Sequence, residues 1–243
     1  MMSIYLKEIR SFLSSLVGYV VIGFFLTVLG LIMWVFPDSS ILDNLYAQMD
    51  PLFSVAPLVF MFLIPALTMK AYAEEYQSGT IELLYTKPIS DLHLVLAKYL
   101  AYFSLMLMTL LPTLLYYYSV YHLGSPPGNL DTGAIAGSYI GLICLASIYI
   151  AIGLFSSVLT KSQIAAFIIG AFLCFFFTWV FDFVSDLPAF IGSYDDLIER
   201  LGINFHYGSI SQGMVDSRNV IYFLSMTLLF LVLTYYMIKS KRN

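Results

Sequence analysis

Residues Glu74–Ala97 read EEYQSGTIELLYTKPISDLHLVLA, and the fold follows from how this stretch is parsed. Apolar runs lie on both sides of it, so it reads as a short charged elbow between two long apolar segments. Gly79 ends the helix arriving from upstream, and Thr80 is placed to cap a new, short one. Ile81, Leu83, Leu84 and Tyr85 give that short helix an apolar character. Pro88 prevents it from running on through Lys87, and Ser90 with Asp91 can cap and charge-match the next long helix. A helix delimited by Gly and Pro between two apolar segments is suited to touching a second protein.

Composition sets the class. The 243 residues are 60% hydrophobic and only 11% charged, with a net charge of −4 and a mean hydropathy of +0.87. Those values describe a polytopic membrane protein rather than a soluble domain. Several apolar windows reach the roughly 20 residues needed to cross a bilayer core. We expect six spans, at about 17–36, 52–69, 96–121, 134–158, 164–184 and 220–238. With the N-terminus inside, Lys7, Arg10, Lys70, Lys87, Lys98, Lys161, Lys239, Lys241 and Arg242 fall on the cytoplasmic side. Only Arg200 and Arg218 fall outside, so the basic residues place both termini in the cytoplasm. The net charge gives no sign of nucleic-acid binding.

Outward from the elbow, residues 1–16 can form an amphipathic interfacial helix. Ile4, Ile9, Phe12, Leu13 and Leu16 would face lipid, and Lys7, Glu8 and Arg10 water. Pro57 and Pro65 predict a kinked second span, and Pro112 interrupts the third. Gly137 and Gly141 form a GxxxG match that permits close helix packing. The outer segment 185–219 mixes acids with Ile191, Leu197, Ile198, Leu201, Ile203 and Phe205. It reads as short interfacial or re-entrant helices that line an outer gate or pack across the bundle end.

No catalytic motif is present: H-E-x-x-H, G-x-S-x-G and the phosphate-binding loop are all absent. His93, His122 and His206 fall on different loops, and Cys144 and Cys174 lie within spans without ligand spacing, so neither a metal site nor a disulfide is expected. The spans carry almost no buried charge, which argues against a carrier coupled to its own ion gradient. Thr109, Thr113, Ser147, Ser156 and Thr178 are expected to satisfy backbone carbonyls. An intramembrane enzyme would need a polar catalytic pair that the spans lack.

The run Glu75-Tyr76-Gln77-Ser78-Gly79-Thr80-Ile81-Glu82-Leu83-Leu84, followed by Thr86-Lys87-Pro88-Ile89-Ser90, resembles the elbow signature of ABC-2 type permeases. Lys7-Glu8-Ile9-Arg10-Ser11-Phe12, Trp34-Val35-Phe36-Pro37 and Gly137-Ser138-Tyr139-Ile140-Gly141 are closer still to the gliding-motility-associated permeases of Bacteroidetes. The resemblance implies one all-α integral membrane domain over residues 1–243. Its parts would be six transmembrane helices, an N-terminal interfacial connecting helix (Lys7, Glu8, Arg10, Phe12) and a cytoplasmic coupling helix between spans two and three. Glu75, Gly79, Thr80, Ile81, Glu82, Leu83, Leu84, Lys87 and Pro88 would form the contact with a separate ABC ATPase. Glu75 and Glu82 would offer charge to that partner. ATP-Mg would belong to the ATPase, with no cofactor in this chain. A second permease copy or a related membrane subunit, the lipid bilayer and an accessory membrane protein complete the implied partners, at a bacterial inner membrane. The alternative is a membrane scaffold that recruits an ATPase for mechanical or envelope-assembly work.

Overall fold

The computed structural model describes residues 1–37, 40–41, 47–82, 90–188 and 195–242, apart from the Val17 side chain. All regular structure among them is helical. Five helical stretches are long and apolar enough to cross a membrane: Asp50–Gln77, Asp91–Leu123, Thr132–Leu159, Gln163–Ser185 and Ser217–Arg242. Met2–Leu13 (α1) and Leu16–Trp34 (α2) form a bent pair that adds a sixth when α1 and α2 are counted as one span. The axes of Met2–Leu13 and Gly18–Trp34 diverge by 66°. Ser15 caps α2 by accepting from the Gly18 N–H at 3.2 Å. Gly18 also leaves room for the turn, because a Cβ there would sit 3.0 Å from the Phe12 ring.

The second span is two helices in line, Asp50–Thr68 (α3) and Lys70–Gln77 (α4). Its 28 residues extend about 42 Å at 1.5 Å per residue, beyond a core about 30 Å thick. One end must therefore project from the apolar layer, and α4 carries the charges. The third span comprises Asp91–Leu110 (α5) and Leu114–Leu123 (α6), joined by a 3-10 turn at Leu111–Thr113 where Pro112 removes a donor. Thr132–Leu159 (α7) is the central helix and lies against α3, the last span and the short helix before it. The fifth span, Gln163–Phe175 (α8) and Phe181–Ser185 (α9), contains a π-helical segment at Phe176–Val180. Asp195–Glu199 (α10) and Ile203–Ser211 (α11) precede the last span, Ser217–Arg242 (α12).

Outward faces are apolar, as lipid contact requires. Phe24, Ile168, Phe172, Leu224, Leu228 and Val232 are all exposed. Inside, several hydroxyls serve their own helices, as expected: Thr109 donates to the Leu105 carbonyl, Ser156 to Gly153 and Thr178 to Cys174. Ser147 departs from that expectation. Its hydroxyl bridges helices, lying 2.7 Å from Tyr99 Oη and 3.0 Å from Thr227 Oγ1.

The prolines of α3 do not break it. Pro57 cannot donate to the Phe53 carbonyl four residues earlier, and Tyr207 of α11 supplies the missing donor, its hydroxyl 2.6 Å from Phe53 O. The GxxxG pair also serves α11 and the turn after it. A Cβ on Gly137 would lie 2.8 Å from Gly213 Cα, and one on Gly141 would lie 2.9 Å from Ile210 Cγ2. Ile203, Tyr207 and Ile210 are buried. Helix α11 is thus packed into the bundle end, and Ile191 lies outside the described residues.

Candidate functional site

The site is the elbow and the helices that hold it. Helix α4 ends where the sequence says it should: the Ser78 N–H and hydroxyl both donate to the Glu74 carbonyl, at 2.9 and 2.8 Å. Gly79 then takes φ +70°, a left-handed conformation that a side chain disfavours. The Thr80 hydroxyl lies 2.9 Å from Ser78 Oγ. Ile81 is buried and begins a new helical turn, with Glu82 exposed beside it. Leu83, Leu84, Lys87 and Pro88 lie outside the described residues. On the far side, Ser90 caps α5 through the His93 N–H, and Asp91 pairs with Arg242 of α12 at 2.8 Å.

Three ties hold α4 to the bundle. The Ser157 hydroxyl at the end of α7 accepts from the N–H groups of Tyr72 and Ala73, at 2.9 and 3.1 Å, and donates to the Met69 carbonyl at 2.9 Å. It thereby satisfies the backbone where α3 passes into α4. Lys98 of α5 is only 1% exposed. Its ammonium lies 3.0 Å from both Glu75 Oε2 and Glu8 Oε1 and donates to the Ala71 carbonyl. Lys7 of α1 reaches the other Glu75 oxygen at 2.9 Å, and the Tyr102 hydroxyl donates to Glu8 Oε2 at 3.4 Å. Glu75 Oε2 makes no well-aligned hydrogen bond, so its contact with Lys98 is Coulombic.

Two cations and two anions make this cluster neutral, which is the condition for burying it. Burial acts to lower the Lys7 pKa, but the Glu75 hydrogen bond and the charges of Glu75, Glu8 and Glu74 outweigh it, and the ammonium is held above its ordinary value. Beside the cluster, a cavity of about 440 Å³ opens between α1 and α4, lined by Lys70, Glu74, Ser78 and Thr80 among others.

Three expectations change. Glu75 is turned into the bundle rather than toward a partner, because it is the carboxylate that Lys98 requires. Glu8 likewise faces inward rather than water, its side chain only 12% exposed. Ile9 and Phe12 of α1 pack on the protein core rather than on lipid, and Ile4 is buried. The spans therefore do hold buried charge at one end. Lys98 was legible as a line-of-contact residue, since Leu94, Ala101 and Tyr102, its neighbours on the same helix face, are all apolar or aromatic and buried. Arg10 is exposed. The Ser157 tie had no sequence signal, because a serine in an apolar helix is ordinarily spent on its own backbone.

The model of a family described as ABC-2 family transporter protein matches residues 36–236. The match takes in the elbow and the spans from the second onward up to residue 236, and leaves α1 and α2 outside. No curated protein matches this chain.

Proposed function

This chain belongs to the ABC-2 transporter family, and from that premise we propose that it is the permease subunit of an exporter driven by a separate ATPase. The ATPase docks on the exposed elbow around Gly79, Thr80 and Glu82, with Leu83, Leu84, Lys87 and Pro88 completing the surface. Bound ATP-Mg belongs to that partner. The observation that carries the reading is the division of labour at residues 70–82. Glu82 and Thr80 are exposed, while Glu75 and Ala71–Ala73 are tied to α1, α5 and α7. A push on the elbow then moves three helices together, and α1 serves as the connecting helix.

The elbow, α1 and the basic tail would face the cytoplasm of a bacterium across its inner membrane. Two copies, or this chain with a related membrane subunit, would form the pathway. The closer resemblance supports reading the system as a gliding-motility exporter with an accessory membrane protein; on that reading deletion of the gene abolishes surface spreading, and unchanged spreading would overturn it.

The test is co-purification in detergent with a co-expressed candidate ABC ATPase from the same genome. Glu82→Lys and Gly79→Pro should each lower ATPase recovery at least about tenfold, which corresponds to about 1.4 kcal/mol, without preventing membrane insertion. Full recovery with both variants would remove the elbow from the interface. ATPase binding without ATP-dependent solute movement in vesicles would favour the scaffold instead.

A further inference from the structure

The end of the bundle opposite the elbow holds a second cavity, of about 730 Å³, between the N-terminal turns of α3 and α7 and one flank of α11. Its volume suits a small-molecule ligand. Gln48, Asp50, Asp131, Trp179, Asn204 and Gln212 supply its polar and aromatic lining.

The hydrogen-bonding state of that lining is uneven. Its hydroxyls are engaged within the protein: Tyr207 donates to Phe53 O, Ser138 to the Ala134 and Ser211 carbonyls, and Ser211 to Gly208 O. The acceptors are not. Asp131 uses one oxygen to cap α7 through the Ala134 N–H at 2.9 Å, and its other oxygen bonds no described residue. Asp50 lies in the first turn of α3 and its carboxylate bonds no described residue. Asn204 donates its Nδ2 to Asp182 Oδ2 at 2.7 Å, a partner that fixes the amide so that its carbonyl stays unspent. Behind it, Asp182 Oδ1 is inaccessible and lacks a hydrogen-bond partner.

Charge points the same way. The lining contains two carboxylates and no Lys, Arg or His. The N-termini of α3 and α7 each contribute about half a positive charge, which two full carboxylates outweigh, before Asp182 is counted. The site therefore repels anions and leaves acceptors for a ligand that brings donors. Trp179 adds an aromatic face that attracts cations.

We propose that this cavity binds a small organic ammonium. As the cargo class it rests on the permease reading, but binding itself needs neither ATP nor the ATPase. The full chain in lipid nanodiscs would be titrated by calorimetry with hexane-1,6-diamine, hexane-1,6-diol and adipate, which share a length and differ in charge. The diamine should bind at least about tenfold more tightly than the diol, with no heat from adipate. Asp50→Asn and Asp131→Asn should each weaken the diamine about tenfold. Asparagine can still cap α7, so the second variant is expected to fold. Glu199→Gln, outside the lining, should leave affinity unchanged. Equal binding of diol and diamine, no diamine binding by the folded chain, or binding indifferent to both substitutions would each overturn the proposal. ATPase recovery from the same preparations reports on the permease reading separately.

Discussion

Lys98 sits where an ammonium can be tolerated only because two carboxylates and a carbonyl meet it. Replacing it with methionine leaves Glu8 and Glu75 with only the half-exposed Lys7 as counter-ion, and removing one partner of a buried pair costs about 3–5 kcal/mol. Lys7 is different. Its side chain is 58% exposed, so its bond to Glu75 is screened and worth about 0–1 kcal/mol. We therefore expect Lys98→Met to destabilise strongly and Lys7→Gln barely. Unfolding in mixed detergent micelles would measure both. The double variant Lys98→Met/Glu75→Gln should recover part of the loss, since it removes one of the stranded charges; strict additivity would show that the cluster is not coupled. The cluster is the charged contact that joins α4 to α5 and α1.

At the scale of elements, close packing rather than hydrophobic burial holds the helices together, since lipid is as apolar as their side chains. Small residues consequently mark the tightest contacts. Gly137→Leu would drive a side chain into the Gly213 backbone, which cannot retreat as a flexible side chain could. Overpacking of this kind costs about 1–3 kcal/mol, and displacement of α11 would also pull Tyr207 from the Phe53 carbonyl. The expected result is a lower thermal midpoint with ATPase recovery unchanged, because the elbow lies at the other end. A loss of ATPase recovery equal to that of Glu82→Lys would contradict the separation of the two ends. The GxxxG spacing was visible in the sequence as a close approach, but the partner was not. Helix α11 and its following turn occupy the groove, where another span was the natural expectation.

The whole molecule gathers α1, the elbow, the α7–α8 turn and the end of α12 at one end. Lys241 donates to the Val158 carbonyl there, and Arg242 pairs with Asp91. The distribution of basic residues predicts that this end faces the cytoplasm. Single cysteines introduced at Ser78 and at Ser125, in a chain with Cys144→Ala and Cys174→Ala, should react oppositely with an impermeant thiol reagent applied to intact cells. Ser125→Cys should label and Ser78→Cys should not. Labelling of Ser78→Cys alone would invert the orientation and move the proposed ATPase contact to the wrong side of the membrane.

Local chemistry was enough to determine the class, most of the spans and the two described ends of the elbow. Apolar runs of spanning length, a helix stopped at Gly79 and a cap at Ser90 are written in neighbouring residues, and bilayer thickness turns them into topology. Tertiary structure decided which charges meet. Glu8, Glu75 and Lys98 lie far apart in the chain and become a buried neutral cluster only when α1, α4 and α5 pack. Ser157 and Tyr207 likewise serve backbone groups that proline or a helix junction leaves open on other helices. Such pairings depend on distance through space, and no spacing along one helix encodes them.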